Sequence, residues 1–589
     1  MRPPIAPSPH PGADLLEVVE GALIQEGHLL AAGEVVVLER LRSIDARARE
    51  LWARLSLRTG GATRESPGER EGEGSGAVMP HVSRLPPVFR LAGLRYDLDV
   101  PAAVATLVDA GLAHTTVPDD RCAAAFDVPA LRASCVRLGL PTSGARVALV
   151  DRLRGQRWVG EPVVMLAHLD LVRRAELLYF QSAHVDRTSM VVERLGQLRW
   201  PAYVPTGGPG LFRDRGALRV YERARAAAWT DPDEPLRIAL AASAGGADQP
   251  LAPPARLAPW RRALEAVLAS DPPADVLGRL VEAGAPVRAA WALRLDREGR
   301  RAEALAVCRG AMVGGLSAGG SGTGGGSATG GLPPIDRAAV IALERTGKRL
   351  ARALGQGWVP SSPLRTAPTR RLRLTPGPRG VRPTWIVEGA AVTVEAAVVR
   401  VLAAAGRRAH HGENWLWTSL YALVFRDLYF LPVPGMLPTA RRDGPLDVGT
   451  PGFYARRQAE IDARLAALAA DGPGRFAAGW DGERLAGLHA GDVVREWSAA
   501  IPGKTAAAVL GRLAKEGWSA ARGLPDLYVF SGNTGRVEGA VPARLDHGDA
   551  LVEIKGPGDS LRDEQRVWHD RLLHEGIVVE LWEVAGWIL

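Results

Sequence analysis

One run, Ala550-Leu551-Val552-Glu553-Ile554-Lys555, constrains the fold of this chain most. Its apolar residues demand burial, and a strand is the short element in which alternate side chains reach opposite faces. Val552 and Ile554 then enter a core while Glu553 and Lys555 share the other face. Two more strand-like runs, Leu527 to Phe530 and Val578 to Val584, lie nearby among helical stretches, which predicts an α/β domain for the last 200 or so residues. Asp526 opens the first of these runs. A connection through Ser531 to Gly535, with turn residues Gly532-Asn533, would set Asp526 beside Glu553. Two carboxylates and an ammonium would meet at one strand end.

Such a group suits phosphodiester hydrolysis. Two carboxylates hold a hard divalent cation through oxygen, and the cation polarises a phosphoryl oxygen and activates water. A lysine adds a compact, proton-exchanging charge that arginine cannot supply. This chain has 73 basic residues, of which only four are lysines (Lys348, Lys504, Lys515 and Lys555), so Lys555 stands out. An ion pair between neighbouring strand residues remains the alternative for one Asp…Glu-x-Lys match. Downstream, Leu561, Gln565, Trp568 and Leu572 follow a helical repeat behind Ser560, a plausible cap, and place a polar Gln565 on the face that packs towards the strand.

At 589 residues the chain is long enough for three or four domains. Its 47% hydrophobic and 23% charged residues fit large buried cores and exclude wholesale disorder. Three scattered cysteines exclude a disulfide framework, and no run is apolar enough for a membrane span. The expectation is a soluble, cytoplasmic protein with no membrane partner. The net charge of +8 permits a polyanionic partner without requiring one.

The expected organisation is a helical N-terminal domain over 1–120, a small basic module over 121–160, a helical region over 161–385 and the α/β domain over 386–589. Thr59 to Gly76 reads as an exposed loop, and the Gly/Ser-rich tract 314–331 as a flexible linker. Ala289 to Ala311 has the spacing of a tetratricopeptide-like unit or of an ordinary helical hairpin. Arg365 to Arg382, with six arginines among prolines, reads as a stiff basic connector.

Phe126 to Trp158 divides into two amphipathic helices around Gly139-Leu140-Pro141 and Ser143-Gly144. Six arginines against Asp127 and Asp151 leave it at +4. These residues resemble a SAP domain, a two-helix DNA-binding module, with a solvated basic hairpin as the alternative. The resemblance implies phosphate contacts, without base readout, for Arg132, Arg137 and Arg146.

The phrase Glu553 to Asp559 (EIKGPGD), with Gln565 and Trp568 after it, resembles the VRR-NUC version of the PD-(D/E)XK nuclease fold. Within that group the chain is similar to the Fanconi-associated nucleases of bacterial type. His411-Gly412-Glu413-Asn414 matches the place of a further upstream carboxylate in that family, and Phe453 to Leu465 matches an amphipathic helix between it and the nuclease core.

The resemblance implies a catalytic set of Glu413, Asp526, Glu553, Lys555 and Gln565. Mg²⁺ or Mn²⁺ would be held by Glu413, Asp526, Glu553 and the Ile554 carbonyl. It also implies cleavage of branched or 5′-flap DNA, 5′-to-3′ exonuclease action of phosphodiesterase I type, and a role in DNA repair, including interstrand crosslinks, at the bacterial nucleoid. Another PD-(D/E)XK enzyme of restriction or junction type, or a non-catalytic DNA-binding scaffold, remain alternatives.

Overall fold

The computed structural model describes residues 11–58, 88–91, 94, 96–116, 126–154, 156, 163–182, 185–206, 210–226, 233–243, 262–280, 285–317, 337–359, 363–378, 383–530 and 549–586. The chain divides into two compact units, residues 1–200 and 201–589.

In the first unit, helices Pro11–Glu26 and Ala46–Arg58 bury Leu15, Val18, Leu51 and Trp52. The Trp52 indole donates to the Leu112 carbonyl at 3.1 Å, which satisfies its one polar group inside the core. A three-stranded antiparallel sheet follows, with Val163–Leu166 between Val88–Arg90 and Ala113–Thr116. The basic hairpin comprises helices Val128–Arg137 and Arg146–Leu153, and Leu131, Cys135, Leu149 and Leu153 close its small core. Asp127 caps the first helix by accepting from Ala130 N at 2.9 Å. The loop expected over 59–76 lies outside the described residues.

The second unit opens with helices. Ala285–Arg297, Arg301–Ser317 and Arg337–Ala353 pack together through Leu295, Leu305, Leu343 and Leu350. The second of these helices reaches into the glycine-rich tract, since Gly314 to Ser317 are helical, while 318–331 lie outside the described residues.

A seven-stranded mixed sheet forms the rest. Its strands are β1 (Thr369–Pro376), β2 (Trp385–Val387), β3 (Ala390–Val392), β4 (Ala409–His411), β5 (Leu527–Val529), β6 (Ala550–Lys555) and β7 (Val579–Gly586). They lie in the order β3-β2-β1-β7-β6-β5-β4. The central trio β1, β7 and β6 is parallel, and the outer neighbours pair antiparallel.

The sheet is covered on both faces. Val552, Ile554, Leu527 and Trp582 share a core with helix α1 (Val394–Ala404). Leu551, Tyr528 and Val579 share the opposite core with α2 (Glu413–Val424), α3 (Gln458–Asp471), α4 (Gly503–Glu516) and α5 (Asp563–His574).

Three expectations are corrected. The stretch read as a basic connector contains β1, so the sheet of the α/β domain begins before residue 386. Leu372 and Leu374 enter the core, and Arg370 is neutralised by Glu580 at 2.7 Å. The helix expected through Phe453 to Leu465 breaks at Arg457 into Pro451–Arg456 and α3. There the guanidinium is buried against Asp447 at 3.1 Å, and that pairing outweighs helical continuity. Ser560 does not cap α5, whose N-cap is Arg562.

Candidate active site

Strand β6 carries the centre of the site. Its alternation sends Val552 and Ile554 into one core and leaves Glu553 and Lys555 on the other face. Strand β5 runs antiparallel to it, with Leu527 opposite Val552. That register places Asp526 next to Glu553, as the sequence predicts. The Ile554 amide donates to Asp526 Oδ2 at 2.8 Å. The segment 531–548, including the expected turn, lies outside the described residues.

Gly523 allows the approach to Asp526. It sits at φ +85°, and a Cβ there would lie 2.6 Å from the Glu564 backbone and 2.7 Å from Gln565 N. Only glycine fits this left-handed, close-packed position, so the loop before Asp526 rests directly on the start of α5.

Glu553 is fully buried. Its Oε1 takes the Lys555 ammonium at 2.8 Å and a hydrogen bond from Gln565 Nε2. The other end of the Gln565 amide accepts from Arg562 N at 2.9 Å. One side chain thus caps α5 and steers the strand carboxylate, a two-ended task that an amide can perform and a carboxylate cannot. Glu553 Oε2 is buried with no hydrogen-bond donor among the described residues.

The electrostatics follow from this packing. Burial pushes the Glu553 carboxyl up to about 8, the Asp526 carboxylate adds to the rise, and Lys555 opposes it. Asp526 is raised as well, mainly by burial, with the Ile554 amide and Lys555 pulling it down and Glu395 on α1 pushing it up. A fully buried and a half-buried carboxylate side by side, one with an oxygen lacking a donor, are a poor arrangement by themselves and a good one for a hard cation. The residues therefore fit a divalent metal ion. Among the described residues no cluster of three or more His, Cys, Asp or Glu side chains is placed to hold one, so the donors in view are Asp526, Glu553 and the Ile554 carbonyl.

Glu413 is the first residue of α2. Strand β4 leads into it, with His411 opposite Leu527 of β5, so the backbone brings position 413 to the sheet end where Asp526 lies. Its side chain lies outside the described residues. Arg132, Arg137 and Arg146 lie in the other unit, on the basic hairpin. Arg132 and Arg137 are exposed, and Arg146 Nη1 donates to the Phe126 carbonyl at 2.9 Å.

Sequence reasoning missed Glu395 and the role of Gly523. Glu395 sits on a helix more than a hundred residues before Asp526 and carries no local signal. Gly523 lies just before Pro525-Asp526 in the sequence, and a glycine beside a Pro-Asp turn was the available hint.

Residues 485–586 match the family model described as the VRR-NUC domain. Fanconi-associated nuclease 1 of Ailuropoda melanoleuca is 30% identical over 189 residues, covering 30% of this chain and 17% of that protein. The Fanconi-associated nuclease 1 homolog of Arabidopsis thaliana is 28% identical over 188 residues, 30% of this chain and 20% of that protein. The matched region thus spans a fifth or less of these curated relatives. Among solved structures, a crystal structure of paFAN1 bound to 2nt 5′-flap DNA with a gap superposes with a TM-score of 0.69 at 20% identity, covering 99% of both chains. A second, with 1nt 5′-flap DNA, gives 0.68 at 21% identity over 98% of this chain and 100% of that one. At these identities the likeness establishes the fold.

Proposed function

We propose that this chain, whose VRR-NUC region is similar to that of the Fanconi-associated nucleases, is a member of that family and a metal-dependent, structure-specific DNA nuclease. Its substrate is branched or 5′-flap DNA. Its activities are 5′-flap endonuclease and 5′-to-3′ exonuclease of phosphodiesterase I type, serving DNA repair, interstrand crosslinks included, at the bacterial nucleoid. Among the described residues no helix is long and apolar enough to cross a membrane. The observation that carries the reading is the clustered group of Asp526, Glu553, Lys555 and Gln565, whose carboxylates sit next to each other and to an ammonium.

Asp526, Glu553 and the Ile554 carbonyl would hold Mg²⁺ or Mn²⁺, with Glu413 as a further ligand from α2. When bound, the cation polarises the phosphoryl oxygen and lowers the pKa of an attacking water. The chain's own groups do the rest. The Ile554 amide pins Asp526 Oδ2, and Gln565 pins Glu553 Oε1, so neither carboxylate must reorganise during reaction. Lys555, held by Glu553, presents its ammonium to the charge developing on the phosphoryl oxygens or to the attacking water.

The basic hairpin is a SAP-like module that holds duplex DNA through phosphates. Exposed Arg132 and Arg137 make contacts there, and Arg146 contributes charge while fixing the hairpin through Phe126.

The test is cleavage of an end-labelled 5′-flap duplex with Mg²⁺ or Mn²⁺ by the full chain, with Lys555→Ala in parallel. The reading expects incision near the junction by the wild type and none by the variant. Wild-type binding without incision under either metal would leave only a scaffold.

A further inference from the structure

The sheet edge beside the proposed active site carries an aromatic cluster that the hydrolytic chemistry does not use. On β4, His410 lies opposite Tyr528 of β5. Tyr528 belongs to the core on the Glu553 face, so His410 points to that same face. The distance from β6 to β4 is two strand spacings, roughly 10 Å.

Around His410 stand two half-buried tryptophans. The Trp415 ring, in the first turn of α2, meets it edge-on at 5.2 Å, and Trp497 lies against it at 4.0 Å between centroids. Trp497 continues to Phe530 at 4.5 Å, and the exposed Arg408 guanidinium lies over both rings at 5.4 and 5.5 Å. The inner members are core: Phe530 is 4% and Tyr528 2% exposed. The outer members, Trp415, His410, Trp497 and Arg408, reach solvent at a sheet edge. Interior packing explains Phe530 and Tyr528. It also seats one side of Trp415 and Trp497, and leaves unexplained their solvent-facing parts and the Arg408 guanidinium, which reaches Glu496 at 3.4 Å and lies over Trp497 of the two.

We infer that Trp415 and Trp497, with Arg408 beside them, form a stacking platform for an unpaired nucleobase of the strand that enters the proposed active site. The inference rests on the nuclease reading. Three observations select this occupant. The platform lies on the same sheet face as Glu553 and Lys555, within about two nucleotide steps of them. Its surface pairs aromatic faces with a guanidinium, the combination that receives bases of single strands without reading their sequence. A base inside a duplex must be unpaired and unstacked before it can lie on a protein aromatic ring, whereas a base in a flap or a melted terminus is already free to do so. The platform thus supplies a preference for unpaired nucleotides next to the scissile bond, separate from the phosphate contacts of the basic hairpin.

The test uses the full chain and replaces Trp415 and Trp497, singly, by Leu, which keeps apolar bulk without an aromatic face, and by Phe, which keeps the face. Dissociation constants and cleavage are measured on two 5′-flap duplexes that differ only in whether the flap nucleotides near the junction carry bases or are abasic. The Leu variants should bind the base-bearing flap about 10-fold more weakly, the size of one lost base–aromatic stack. The Phe variants should stay within about 3-fold of wild type on that scale. On the abasic flap, wild type and Leu variants should converge, and the loss during cleavage should fall on KM with kcat little changed.

Equal binding of the two flaps by wild type, or Leu variants that match it on the base-bearing flap, would overturn the platform. A Leu variant with a lowered melting temperature and equal losses on both flaps would do so too, since that pattern marks structural damage alone. If wild type binds with the base dependence described but cuts neither flap, the platform stands and the nuclease reading fails.

Discussion

Strand β6 and the basic hairpin of the first unit both display cationic side chains, and they use them in opposite ways. On β6 one lysine is held 2.8 Å from a fully buried carboxylate, among groups whose protonation is displaced from its ordinary range. On the hairpin Arg132 and Arg137 stand in solvent, and the buried residues beneath them are Leu131, Cys135, Leu149 and Leu153. Chemistry on a phosphodiester needs charge that is desolvated and fixed before the substrate arrives. Holding a duplex by its phosphates needs charge that is hydrated and mobile. On the proposed function, that difference would account for a lysine on β6 in a chain with only four lysines.

The strongest way to break this contrast is Asp526→Asn. It should lower the cleavage rate by about 1000-fold or more while DNA affinity stays within a few-fold, since it removes a group that organises the developing charge. Single-turnover kinetics beside equilibrium binding reads both. Lys555→Arg comes next. It preserves charge, so a substantial loss, about 100-fold in the rate, would show that proton exchange or compactness matters at this position. An unchanged rate would reduce Lys555 to an electrostatic partner that arginine can replace.

Gln565→Leu sharpens the comparison from the structural side. It removes the N-terminal cap of α5 and the donor to Glu553 together, so stability should fall by about 1–3 kcal/mol and activity with it. Gln565→Glu should do worse than a surface Gln→Glu, because it sets a third carboxylate against Glu553.

The pH dependence has a definite sign. Glu553 has its carboxyl raised from 4.5 to about 8 in the folded, metal-free protein, so the fold holds a proton there that the unfolded chain releases. Its contribution to stability is complete below about pH 4.5 and is lost as pH rises through about 8. Mg²⁺ or Mn²⁺ competes with that proton. The cation should therefore raise the melting temperature more at pH 8.5 than at pH 6, and Glu553→Gln should abolish the difference.

Much of this site was legible before the structure because its residues are close in sequence and obey simple periods. Alternation on β6 placed Glu553 and Lys555 together, and a helical period brought Gln565 back to them. What was not legible depended on distant partners. Strand β1 was hidden by its arginines, which look like a solvated connector until Glu580 supplies a counter-charge for Arg370. The break at Arg457 needed Asp447, which no helical repeat includes. Glu395 influences Asp526 from another layer of the fold. Position 413 was suggested by family resemblance alone, and the pairing of β4 with β5 brings its backbone to the sheet end where Asp526 lies.

The smallest expected effect comes from the hairpin. Arg132→Ala and Arg137→Ala should each weaken duplex binding a few-fold and reduce the slope of log affinity against log salt by about 1 per contact. Cleavage at saturating DNA should be unchanged. Arg146→Ala should also loosen the hairpin, since it removes the hydrogen bond to the Phe126 carbonyl.

The most direct measurement is single-turnover cleavage of a 5′-flap duplex by wild type and Asp526→Asn in Mn²⁺, with the affinity of each for the same DNA. The account predicts that wild type cuts near the junction and that the variant binds equally well and does not cut. Incision by the variant at the wild-type rate would contradict it, because the phosphodiester would then be hydrolysed without the carboxylate pair on which the account rests.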